Sequence, residues 1–230
     1  MKKHGLEVTT RMKAKYQKGR QSVWQYLRMT SIVNPHAEIT FTDPDGEVHH
    51  WPRVTERLPG KVESIKPHPH GIELGQLQRM LSESTDSRIS VFMRTNFSGV
   101  STRAAKELCA AAELDVKVKP KQMSPDQIRA LLEAFQGERL FNGKPVKLLN
   151  PPTNCLSPIE EMLIKKGLSK TIDSRYATTM TRAPNVSQGN PYQVEVGLIF
   201  GGDMAADKPV EVLRFANRVP LMYQQGGCLL

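Results

Sequence analysis

Ser124-Pro125-Asp126-Gln127-Ile128-Arg129-Ala130-Leu131-Leu132-Glu133-Ala134-Phe135 decides the fold class. A serine before a proline, with a glutamine three residues on, is a capping box with proline at the first helical position. Ile128, Leu131, Leu132 and Phe135 then recur at helical spacing and give one apolar face. Upstream, the same periodicity predicts helices over 72–83, 86–95 and 101–112. Residues 67–140 therefore read as all-helical, entered through Lys66-Pro67-His68-Pro69-His70-Gly71.

The flanks have a different period. In residues 141–230, Asn150-Pro151-Pro152-Thr153 is an extended connector. Ser157-Pro158-Ile159-Glu160 is a second capping box, and its helix is expected to end at Gly167. Tyr192, Val194, Val196, Leu198 and Phe200 alternate with Gln193, Glu195, Gly197 and Ile199, which predicts one continuous strand. Gly201-Gly202 turns the chain, and 210–216 and 219–223 are candidate strands. In residues 1–66, Leu6, Val8, Thr10, Met12, Ala14 and Tyr16 occupy every second position, the pattern of a half-buried strand. Lys18-Gly19-Arg20 is a turn and 21–33 a helix, which Asn34-Pro35 ends. A hairpin follows: a strand over 37–42, the turn Asp43-Pro44-Asp45-Gly46, and a strand over 47–51. The expected class is α+β, multidomain, with a helical module between two mixed parts.

Composition narrows the function. The 230 residues are 39% hydrophobic and 24% charged, which suits a cored protein. No apolar run approaches the roughly 20 residues of a membrane span. The N-terminal Met1-Lys2-Lys3-His4-Gly5 leads into no apolar stretch, so no secretory signal is read and cytoplasmic placement is expected. Cys109, Cys155 and Cys228 form no C-x-x-C pair and are expected as free thiols. The net charge is +9, 32 basic residues minus 23 acidic. Part of the excess lies in Lys2, Lys3, Arg11, Lys13, Lys15, Lys18 and Arg20, opposed by Glu7. Such a charge suits either a phosphate-bearing partner or ordinary solvated surface.

Neither glycine-rich phosphate fingerprint is present, and Gly201-Gly202 and Gly226-Gly227 read as turns. His49-His50 and His68-Pro69-His70 could each be half a metal site. Without a Cys or carboxylate at ligand spacing they read as strand-surface and linker histidines, so no metal site is expected. No Ser or Cys nucleophile is marked by a neighbouring motif. The sharper candidate is Ser98-Gly99-Val100-Ser101, a glycine turn feeding a helix N-terminus. Free N–H groups there can hold a DNA phosphate, and Arg94, Arg103 and Lys106 lie close in sequence. An ordinary interhelical turn has the same sequence. Arg214-Phe215-Ala216-Asn217-Arg218-Val219-Pro220-Leu221-Met222-Tyr223 sets polar groups among apolar ones. It reads as a strand with a snorkelling arginine, or as a strand end reaching a ligand.

Several strings resemble the B subunit of DNA topoisomerase VI, a type IIB enzyme of the GHKL ATPase family. They are Gly19-Arg20-Gln21-Ser22-Val23 with Tyr26-Leu27-Arg28, Asn34-Pro35-His36-Ala37, and Asn150-Pro151-Pro152-Thr153 with Leu156-Ser157-Pro158-Ile159. Gln188-Gly189-Asn190-Pro191 with Gln193-Val194-Glu195-Val196-Gly197 follows, then Leu213-Arg214-Phe215-Ala216-Asn217-Arg218-Val219-Pro220-Leu221 with Tyr223.

The resemblance implies that 1–66 are the C-terminal part of a GHKL (Bergerat) α/β sandwich. It makes 67–140 a helix-two-turns-helix domain and 141–230 an incomplete transducer of ribosomal-protein-like fold. It also implies an ATP-dependent type II topoisomerase: two B subunits dimerise on ATP and close over double-stranded DNA, and an A subunit cuts a duplex. ATP and Mg2+ are the implied cofactors. Their asparagine, Asp-x-Gly-x-Gly and glycine-lid motifs lie upstream of residue 1, and the helices that meet the A subunit lie beyond Leu230. The chain alone is therefore expected to hydrolyse no ATP. Gly5, in His4-Gly5-Leu6, stands where the family commonly reads His-Gly-Thr. A transducer lysine reaches the γ-phosphate in the family, which places Arg218 at or near that role; its planar fork differs from an ammonium. The other classes left open are a non-enzymatic basic nucleic-acid-binding protein and a scaffold.

Overall fold

A computed structural model describes residues 5–19, 21–202, 204 and 210–222. Along the chain run α1 (Val23–Val33), β1 (Ile39–Thr42), β2 (Val48–Trp51), α2 (Leu74–Glu83), α3 (Ile89–Asn96), α4 (Thr102–Ala111) and α5 (Pro125–Gln136). Then come α6 (Glu161–Thr171), β3 (Tyr176–Thr181), β4 (Asn185–Ser187), β5 (Asn190–Tyr192), β6 (Glu195–Phe200), β7 (Arg214–Ala216) and β8 (Val219–Leu221). The class is α+β. Among the described residues each strand has one partner: β1 with β2, β3 with β6, β4 with β5 and β7 with β8. The chain folds as two units that interleave in sequence, Met1–Leu58 with Ile159–Met180 and Val196–Leu230, and Pro59–Pro158 with Thr181–Glu195.

In the first unit, Ser22 caps α1 by accepting the Gln25 N–H at 3.1 Å. The β1–β2 hairpin is antiparallel, with Ile39 opposite Trp51 and Thr42 opposite Val48. α1 and α6 pack directly on each other, burying Ile32, Val33, Ile164 and Leu168. Gly167 lies at this crossing. A Cβ on it would stand 2.0 Å from the Ile32 carbonyl oxygen. The β6 glycine Gly197 likewise leaves room for Leu168, whose Cδ1 would be 2.6 Å from an added Cβ.

The second unit holds the helical module. Its core is Ile72, Leu77, Leu81, Ile89, Phe92, Met93, Leu108, Leu131 and Phe135 with their neighbours. Phe97 stacks edge-on against both Phe92 and Phe135. α5 begins with the expected capping box, Ser124 with Gln127, and ends on Gly137 in the left-handed region. Cys109 is fully buried among these apolar groups, and burial pushes its thiol up to about 11. Cys109 and Cys155 are both free.

Four expectations change. The strand over 6–16 does not form: the described residues there have no regular structure, and Leu6, Val8 and Met12 are exposed. Alternation makes a segment able to pair, but no strand among the described residues pairs with it. The helix expected from Pro158 starts at Glu161, because Glu160 takes a positive φ of 77° that no helix contains. It also runs past Gly167 to Thr171, since that glycine serves a helix contact, not a C-cap. The strand over 192–200 is split into β5 and β6 at Gln193–Val194, each half taking a different partner. The two C-terminal strands shorten to β7 and β8 around a turn in which Asn217 and Arg218 both have positive φ. Readings on His4, Arg20, Tyr223, Gly226-Gly227 and Cys228 fall outside the described residues.

Candidate nucleic-acid interface

The turn between α3 and α4 is built by its neighbours. Gly99 has φ +77°, and a Cβ there would lie 2.2 Å from the Leu149 carbonyl oxygen. Leu149 N–H donates to the Gly99 carbonyl at 3.0 Å, and Ser98 N–H to the Pro67 carbonyl at 2.9 Å. The Ser98 hydroxyl also donates to Pro67, at 3.3 Å. These two residues thus fix the turn; their bonds go to the protein's own backbone. The open groups lie one step further on. Ser101 caps α4 by accepting the Ala104 N–H at 3.1 Å, and the first-turn N–H groups of Thr102 and Arg103 have no intrahelical acceptor.

Beside that helix start is an open depression of about 630 Å³ lined by Lys66, Val91, Arg94, Thr95, Val100, Ser101 and Thr102. Lys66 and Arg94 are exposed and carry its charge. Lys106 is exposed on α4. Arg103 is engaged: its Nε donates to Glu107 at 2.7 Å, and that carboxylate raises its pKa further. Of the residues expected to meet DNA, Arg94 and Lys106 are exposed, Ser98 and Gly99 build the turn, and Arg103 is paired with Glu107. Lys66, Thr95 and Thr102 line the same depression as Arg94. Lys66 is far from α4 in sequence, and the Ser98–Pro67 bond brings it here.

His68 holds this arrangement from beneath. It is buried, with Nε2 3.1 Å from the Leu149 carbonyl and Nδ1 accepting the His70 N–H at 3.2 Å. Both contacts suit a neutral ring protonated on Nε2. Burial lowers its pKa, the Leu149 carbonyl opposes this, and His70 adds to it. A histidine with a depressed folded pKa favours folding while neutral. Its contribution is lost as pH falls through its ordinary value near 6.5, where the unfolded chain takes the proton first. His36 is shifted in the same direction, first by burial and then by Arg218, Arg53 and Lys170. The melting temperature is therefore expected to fall between about pH 7.5 and 5.5, and His68→Gln to flatten that fall. A pH-independent melting curve would contradict the neutral buried ring.

The remaining candidates lie in the first unit. Gly5 is exposed, with nothing within 4 Å of an added Cβ, so the structure does not bring it against Arg218. Arg218 sits on the β7–β8 turn, where its guanidinium donates to the Val33 carbonyl at 3.4 Å and its own carbonyl accepts from Asn34 at 3.3 Å. It supplies a cation at the C-terminal end of α1, which has no basic residue in its last turn. No helix among the described residues is long and apolar enough to cross a membrane.

Residues 151–230 match the family model described as the transducer of the topoisomerase VI B subunit. The chain is 47% identical over 226 residues to the B subunit of type 2 DNA topoisomerase 6 from Methanococcoides burtonii, covering 98% of this chain and 35% of that one. The same-named protein of Methanosarcina acetivorans is 46% identical over 227 residues, with the same coverage. That of Archaeoglobus fulgidus is 41% identical over 227 residues, 98% of this chain and 36% of the relative. The chain thus spans about a third of the length of the curated relatives it matches.

Proposed function

From a chain that belongs with the topoisomerase VI B subunits over nearly its whole length, and carries their transducer, we propose that it serves as a coupling segment of an ATP-dependent type II DNA topoisomerase. The observation that carries this is the 47% identity over 98% of the chain, which runs through both units. On this reading 1–66 are the tail of a GHKL ATPase domain, 67–140 a helix-two-turns-helix domain and 141–230 the transducer. The partners are an A subunit that cleaves a duplex, a second B subunit, and double-stranded DNA.

The chain's own residues support a lever role. A helical module with a rigid hydrophobic core moves as a body, because close-packed interiors transmit displacement instead of absorbing it. The depression at Lys66 and Arg94 offers sequence-independent backbone contacts to DNA. ATP and Mg2+ belong, on this proposal, to the longer subunit, since no phosphate-binding glycine loop lies in residues 1–230. Arg218 is the residue of this chain proposed to meet the γ-phosphate, and its contact with Val33 would then have to open.

The test is reconstitution. The chain, joined to the N-terminal and C-terminal remainder of a relative's B subunit and mixed with an A subunit, is expected to relax supercoiled plasmid only with ATP. A hybrid that folds and binds the A subunit, yet gives no relaxation, would overturn the coupling role.

A further inference from the structure

The β1–β2 hairpin gathers groups that the topoisomerase reading does not use. Asp43 opens its turn with a fully buried side chain. One carboxylate oxygen, Oδ1, accepts the N–H groups of Asp45 at 3.0 Å and Glu47 at 2.8 Å, which is enough to close the turn. The other, Oδ2, is buried without a hydrogen-bond partner. An oxygen of Asp43, one of Glu47 and a ring nitrogen of His49 all lie within 4.8 Å of one another. Glu47 Oε1 is 3.8 Å from His49 Nε2. The sequence set His49 aside for want of a carboxylate at ligand spacing. Alternation along the strand puts Glu47 on the same side, and the turn brings Asp43 back across.

The imidazole is held in place. It stacks on Phe41 at 6.0 Å and on Trp51 at 6.3 Å, and meets Trp24 edge-on at 5.9 Å. The charge around it is negative. Asp43, Asp45 and Glu47 face the ammonium of Lys18, which lies 3.6 Å from Asp43 Oδ2 and 3.4 Å from Asp45 Oδ2. Lys18 is 64% exposed and sits on a segment without regular structure, so it can leave at little cost.

We propose that Asp43, Glu47 and His49 form a binding site for a divalent transition-metal ion of the zinc class, and that the Lys18 ammonium occupies the cation's place in the metal-free protein. One imidazole with two carboxylates is a donor set that such ions accept at roughly 2.0–2.2 Å, and the imidazole disfavours Mg2+ and Ca2+. Glu47, 62% exposed at its side chain, supplies the adjustment that closes the set around an ion. Three protein ligands leave a coordination position for water.

The test uses the full chain and Co2+ as probe. Both tryptophans of the chain flank His49, at 5.9 and 6.3 Å, so a paramagnetic ion bound there quenches the intrinsic fluorescence. Expected is a saturable one-to-one quench, reversed by Zn2+, indifferent to Mg2+, and abolished by His49→Gln and by Glu47→Gln. Lys18→Ala is expected to tighten binding about ten-fold by removing a competing charge. Thermal melts of each variant accompany the titration; should His49→Gln fail to fold, Glu47→Gln decides, its side chain being exposed. A quench that persists in a folded His49→Gln or Glu47→Gln, or none at all, overturns the proposal. An unchanged affinity in Lys18→Ala removes the ammonium from it.

Discussion

Gly167→Ala is expected to destabilise the first unit by about 3 kcal/mol, a shift of more than about a hundred-fold in its folding equilibrium. The added methyl would stand 2.0 Å from the Ile32 carbonyl oxygen and 3.0 Å from its carbon. Both obstacles are helix backbone, which cannot rotate aside as a side-chain tip can. α1 and α6 must therefore separate, and the contacts among Ile32, Val33, Ile164 and Leu168 loosen with them. Trp24 and Trp51 both lie in this unit, so urea unfolding followed by tryptophan fluorescence reads it directly. Gly75→Ala is the control. Gly75 lies in a helix of the second unit, where an added Cβ meets nothing within 4 Å; the change, followed by helical circular dichroism because that unit holds no tryptophan, is expected to stabilise by about 0.5–1 kcal/mol. If Gly167→Ala were as harmless as the control, the described crossing of α1 and α6 would be untenable.

The second large effect is on DNA affinity. Lys66, Arg94 and Lys106 are exposed cations around the start of α4. Each phosphate neutralised adds about 0.9 to the slope of log affinity against log salt, so three contribute about 2.7. On their account alone, raising salt from about 50 to 200 mM is expected to weaken duplex binding about 40-fold. Lys66→Ala with Arg94→Ala is expected to reduce the slope by about 2. Arg103 is held by Glu107 at 2.7 Å, so Arg103→Ala changes the slope little, whereas Glu107→Gln frees a contact and steepens it by about 1. Fluorescence anisotropy with unrelated duplexes at several salt concentrations measures all of these variants. Identical slopes in the wild type and the double variant would remove this face from DNA binding.

Local rules carried much of the reading. The α5 capping box, the Asn34-Pro35 stop and the Asp43–Gly46 turn are set by residues within a few positions, and all appear as expected. What escaped depends on partners distant in sequence. Gly167 looks like a helix terminator until Ile32 is seen against it. β3 went unread because Ala177-Thr178-Thr179-Met180-Thr181 lacks apolar alternation; its pairing with β6 supplies the strand. The surroundings of the proposed DNA-binding turn were legible only in part. Arg94 and Lys106 could be named from position, but the roles of Ser98 and Gly99 turned on the carbonyls of Pro67 and Leu149. The Asp43–Glu47–His49 group is the exception: it lies within seven residues and was missed because strand alternation and the hairpin turn, not a familiar ligand motif, bring its side chains together.

The interleaved sequence order of the two units governs how the protein can be dissected. The backbone passes between them at 58/59, 158/159, 180/181 and 195/196. A single cut by a protease, or a single boundary chosen for an expression fragment, cannot release either unit whole: each loses a piece left on the other side. Nicked chain should stay associated through those shared pieces on a sizing column. Gene fission meets the same constraint, since a unit divided by the break is completed only where both halves are made together.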